Sequence, residues 1–109
     1  EKALQIAQAS RQRWADPASG AIRCESMFAC TLIEGWMELS EATGDRQWID
    51  QARLSMRYVH DNVRDAAGRY SKRWDDTHTA PITRWKLLYP AAAARAYWAL
   101  AEADRPLDP

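Results

Sequence analysis

The stretch Glu41-Ala42-Thr43-Gly44-Asp45-Arg46-Gln47-Trp48-Ile49-Asp50-Gln51-Ala52 decides the fold. A helix-favouring run ends at Thr43, Gly44 suits the left-handed cap that closes a helix, and Asp45 stands where the next helix needs an N-cap. A connection this short makes the flanking helices antiparallel neighbours, an αα-hairpin. Upstream, residues 24–43 place Phe28, Leu32, Ile33, Trp36, Leu39 and Ser40 on one stripe. Downstream, Ile49, Ala52, Met56, Val59 and Val63 recur at alternating spacings of three and four, which predicts a helix to about Arg64.

Working outward, residues 2–14 carry Ala3, Leu4, Ala7 and Trp14 at helical spacing. Asp16-Pro17-Ala18-Ser19-Gly20 breaks that pattern, because proline disfavours helix in the residue before it. Asp65-Ala66-Ala67-Gly68 reads as a second turn. Pro90 suits the first turn of a fourth helix running to about Ala103, and Ala91 to Ala94 allow a neighbouring helix to come close. The tail 104–109 reads as frayed. Trp36-Met37-Glu38-Leu39-Ser40-Glu41-Ala42 aligns with Tyr97-Trp98-Ala99-Leu100-Ala101-Glu102-Ala103, and the turns opening with Asp16 and Asp65 echo each other. Repeated units of this kind stack, because one unit cannot bury its apolar face alone. The expectation is an all-α fold of two stacked αα-hairpins in a single helical domain over residues 1–109. Trp36, Trp48 and Trp98 are expected in the core.

Composition narrows the function classes. With 15 basic and 15 acidic residues in 109, the chain lacks the basic excess of a nucleic-acid footprint. No apolar run approaches the roughly 20 residues that cross a bilayer. Cys24 and Cys30, six apart on one expected helix, face different ways and read as two packing residues rather than a disulfide. Neither they nor the two histidines make a zinc spacing. Neither cofactor nor metal is expected, and the compartment stays open. Glu1 is not an initiator methionine, so a processed or excised chain is expected. Six tryptophans are the compositional outlier and point attention to where they cluster.

Two of them lie in residues 68–88, within a long non-periodic connection (65–89) between the third and fourth helices. Connections this long in a compact domain are usually functional or disordered, and this one is too aromatic for a disordered linker. Asp75 and Asp76 are the sharpest candidates for chemistry, since glycoside hydrolysis uses two carboxylates about the bond. The competing reading has them capping a turn or pairing with Arg73 or Arg84. His78 can act as a base or orient a carboxylate, or can simply be solvated. Tyr70, Trp74 and Trp85 offer flat faces for a sugar, or pack the loop onto the helix ends, and Arg73 can bind substrate hydroxyls.

Glu41–Ala52, the loop from Asp65 to Trp74, and Arg84-Trp85-Lys86-Leu87-Leu88-Tyr89-Pro90-Ala91-Ala92-Ala93 together resemble phrases of the α/α-toroid (six-hairpin) proteins. The last is similar to the lead-in to an inner helix in the N-acylglucosamine 2-epimerase and mannanase-type (glycoside hydrolase family 76) groups. The resemblance implies a carbohydrate-active toroid, either glycosidase or sugar epimerase. In it Asp75 and Asp76 serve as acid and base, and Tyr70, Arg73, Trp74, His78 and Trp85 contact the glycan. Two departures stand against it. The epimerase-like proteins carry a glutamate after the aromatic-proline pair, where this chain has alanines, and six hairpins close a toroid where this chain supplies about two. The alternative is a non-catalytic helical module that binds a glycan or a partner protein. Either way the open apolar flank predicts a homodimer or the remainder of a longer chain as partner, with no nucleic acid and no membrane.

Overall fold

The computed structural model describes residues 2–77 and 81–103, so His78 and the tail from Asp104 lie outside the described residues. The helices are α1 (Lys2–Trp14), α2 (Ser26–Thr43), α3 (Gln47–Tyr58) with its π-helical extension Val59–Val63, and α4 (Leu88–Ala103). No strand forms among the described residues, which hold only three isolated bridges. The all-α expectation stands, as a four-helix, hairpin-type fold.

Thr43-Gly44-Asp45 turns as its residues dictate. Gly44 adopts φ +73° and its N–H donates to the Ser40 carbonyl at 2.8 Å. Asp45 Oδ2 accepts from the Gln47 side chain at 2.6 Å and Oδ1 from the Gln47 N–H at 3.0 Å, and these two bonds, the side-chain one first, draw the Asp45 pKa down. The hairpin then buries Ile33, Trp36 and Ser40 of α2 with Trp48, Ala52, Met56, Val59 and Val63 of the next helix. At the end of α3 the chain widens, and the Arg64 N–H reaches the Val59 carbonyl five residues back. The Asn62 side chain also donates to the Tyr58 carbonyl at 3.3 Å.

The two turns also match in detail. The N–H of Asp16 donates to the Ala21 carbonyl and that of Asp65 to the Arg69 carbonyl, both at 2.9 Å. Each turn then passes through a glycine of positive φ, Gly20 at +78° and Gly68 at +83°. Each closes on a bridge, Ala15 with Ile22 and Arg64 with Tyr70.

α2 and α4 run side by side and parallel. Arg95 of α4 meets Glu34 of α2 at 2.8 Å, and the C-terminal ends of both helices line one crevice. Packing of α2 on α4 is the most extensive in the molecule, followed by α2 on α3. α1 buries no residue fully; it rests on partly buried Leu4, Ala7 and Trp14, on Arg11 over the Trp48 ring (4.5 Å) and bonded to Gln47 (2.9 Å), and on the Trp36 indole donating to Ser10 (3.4 Å). Between α1 and α2 lies an open apolar groove of about 900 Å³. Two stripe assignments are corrected. Phe28 is 70% exposed on the groove wall, and Trp98 is 68% exposed on the outer face of α4 rather than in the core. The cysteines are free, Cys30 inside α2 and Cys24 just before it, where burial pushes the Cys24 thiol up.

Candidate functional site

The connection from the π-helix to α4 is laid down by backbone pairing on one side and a single carboxylate on the other. The Ser26 N–H donates to the Lys72 carbonyl at 2.7 Å, and the Trp74 N–H to the Cys24 carbonyl at 3.1 Å. Lys72 Nζ reinforces this seam with a 3.1 Å ion pair to Glu25. Further along, Asp65 collects three backbone donors. Its Oδ1 accepts from Ala67 (3.0 Å) and Arg69 (2.8 Å), and its Oδ2 accepts from Ile82 (2.9 Å). Arg69 closes the clamp by donating to the Ile82 carbonyl at 3.0 Å. Hydrogen bonds from Ile82, then Arg69, draw the Asp65 pKa below its usual value.

Within this frame Ser71, Arg73, Asp75 and Asp76 form one cluster. Arg73 grips Asp75 with both arms of its guanidinium, Nε to Oδ1 at 2.9 Å and Nη2 to Oδ2 at 3.2 Å. Such a planar fork is the strongest geometry open to an arginine and a carboxylate. Ser71 Oγ donates to Asp76 Oδ2 at 2.7 Å. The Tyr58 hydroxyl sits beneath, 3.3 Å from the carbonyl oxygens of both aspartates and 3.1 Å from Thr77 Oγ1. Both side chains are half-buried. The pair is thus brought to one place, with three of its four carboxylate oxygens accepting from Arg73 and Ser71.

The aromatic candidates separate. Trp74 is 0% exposed and belongs to the core, so its faces are covered by protein and no sugar ring can stack on it in this arrangement. Tyr70 is half-buried and meets Tyr97 edge-on, with ring centroids 6.5 Å apart. Trp85 is 53% exposed and offers an open face. His78 lies outside the described residues. Of the residues that shape the loop, the sequence marks Asp65 only as the opening of a turn and gives Arg69 and Ile82 no role in it. An aspartate opening a turn with a glycine three residues on was a usable signal for Asp65. Its reach to Ile82, seventeen residues away, had none. No group of histidine, cysteine or carboxylate side chains suited to a metal ion occurs among the described residues.

Against known structures, the chain is similar to a GH76 alpha-mannanase of Bacteroides thetaiotaomicron, with a TM-score of 0.82 at 23% identity. The likeness covers 89% of this chain and 27% of that one, so the chain spans about a quarter of the length of that enzyme. The fold is shared. No family model matches the chain, and no curated protein matches it.

Proposed function

We propose that the chain is a two-hairpin part of a carbohydrate-active α/α-toroid protein whose 68–88 stretch contacts a glycan. The likeness in fold to an alpha-mannanase over 89% of the chain carries this reading. Trp85 is the aromatic platform, because its ring is open to solvent. A flat apolar ring with polar surroundings suits the apolar face of a sugar. Arg84 and Lys86 beside it are exposed and can donate to sugar hydroxyls.

As to chemistry, the reading favoured is binding without turnover by the 109-residue chain itself. A proton donor and a base must each present a free oxygen to the scissile bond. Here Asp75 gives both oxygens to Arg73 and Asp76 gives one to Ser71. The test uses a panel of α-linked manno-oligosaccharides, read by mass spectrometry for cleavage and by titration for binding. The expected outcome is saturable binding that Trp85→Ala weakens, and no cleavage product. Cleavage by the wild-type chain that Asp75→Asn and Asp76→Asn each abolish would establish the hydrolase instead. A failure to bind any member of the panel would remove the glycan role.

A further inference from the structure

Charge is spread unevenly along the chain. Residues 77–101 contain no aspartate or glutamate, yet they include Arg84, Lys86 and Arg95. Arg95 is satisfied by Glu34 of α2 at 2.8 Å. Elsewhere cations meet carboxylates close by, Arg23 with Asp16, Lys72 with Glu25 and Arg73 with Asp75. Arg84 and Lys86 differ. Both are exposed, and neither has an ion pair among the described residues. They stand on a short span fixed at both ends. Before it, Ile82 is buried and held twice, its N–H on Asp65 Oδ2 at 2.9 Å and its carbonyl on the Arg69 guanidinium at 3.0 Å. After it, the Tyr89 N–H donates to the Lys86 carbonyl at 3.0 Å and the Ala91 N–H to the Leu87 carbonyl at 3.1 Å, which opens α4. The open ring of Trp85 is therefore presented from a tethered backbone, with a cation on each neighbouring residue.

Donor chemistry then narrows the ligand. A sugar hydroxyl both donates and accepts, and a site for neutral sugars serves it best with both kinds of partner. Guanidinium and ammonium groups only donate, so their complement is a group that only accepts. Carboxylate, sulfate and phosphate are such groups, and their charge strengthens each bond. α4 begins beside this span with no acidic side chain in its first turn, so nothing there offsets the positive end of the helix. We infer that the ligand of this stretch is an acidic saccharide, its ring against Trp85 and its anionic group on Arg84 and Lys86. The inference rests on the glycan reading and names the class of glycan.

Titration calorimetry compares one α-linked manno-oligosaccharide before and after its primary hydroxyl groups are oxidised to carboxylates, so that linkage and length stay constant while charge changes. The oxidised form should bind about tenfold more tightly at low ionic strength, the gain expected of two exposed ion pairs. Added salt should shrink that advantage. The double substitution Arg84→Gln with Lys86→Gln removes both charges and keeps hydrogen-bond donors, and it should abolish the difference between the two forms. Trp85→Ala should weaken both. All three side chains are exposed, and circular dichroism checks that each variant remains helical. Polyglutamate supplies carboxylates without a sugar and should bind far more weakly than the oxidised oligosaccharide. Equal affinity for the two forms overturns the inference and leaves the glycan reading standing, as does an advantage that survives the double substitution. Polyglutamate that binds as tightly as the oxidised form overturns it in favour of charge alone. Binding of neither oligosaccharide removes both readings.

Discussion

At the scale of single residues, Asp65 holds the loop by charge-assisted bonds from three backbone N–H groups. Its pKa is lowered in the folded state, with Ile82 the largest cause. A carboxylate with a depressed folded pKa stabilises the fold above its unfolded pKa, and that contribution is lost as pH falls through the folded one. Urea unfolding at a series of pH values should therefore show the wild type losing more stability than Asp65→Asn as pH drops below about 4. Gly20 and Gly44 make a second comparison. Both have positive φ, but a Cβ at Gly20 would also lie 2.7 Å from Leu54 Cγ and 3.0 Å from the Ser55 nitrogen, while Gly44 has open space. Gly44→Ala should cost about 1–2 kcal/mol from backbone strain alone. Gly20→Ala should cost measurably more, because the Ser55 backbone cannot step aside. Trp74→Ala should cost about 3–5 kcal/mol, the price of emptying a core site. That loss also answers what the sequence left open, since composition cannot say whether a loop tryptophan faces sugar or core. The backbone bond from Trp74 to Cys24 turns it inward, and nothing local in the sequence announces a partner fifty residues away.

At the scale of elements, the helices were legible because apolar spacing and turn chemistry agree, and Thr43-Gly44-Asp45 behaves as its residues require. The interruption of helix three was not legible. Val59 and Val63 sit four apart and both are buried, so the stripe reads straight through a π-helical turn. Met56→Pro, one turn earlier, should cost about 3 kcal/mol or more through the lost bond and the ring clash. Thermal melts followed by circular dichroism would read this as a large fall in midpoint or as unfolding. Periodicity also failed to choose between faces. Phe28 and Trp98 lie on apolar stripes of helices that carry two such faces each, and only tertiary contacts decide which one is covered. The candidate site fared in between. Asp75, Asp76 and Arg73 do converge, yet the pairing with Arg73 that was the competing reading is the one the geometry displays.

At the scale of the whole molecule, stability in a stacked array is a sum of unit terms and nearest-neighbour terms, so a unit with one neighbour is held less firmly than a unit with two. Among the described helices α1 is the one packed on a single side, along an open groove. With no fully buried residue, it rests on the Arg11 and Ser10 contacts and on partly buried Leu4, Ala7 and Trp14. Amide hydrogen exchange should accordingly be graded across the chain, fastest in α1 and slowest around Ala52, Met56 and the middle of α2. The gradient behaves like a zipper with one loose end: whatever seats beside α1 need not touch the 68–88 loop to be felt as slower exchange at Leu4 and Ala7.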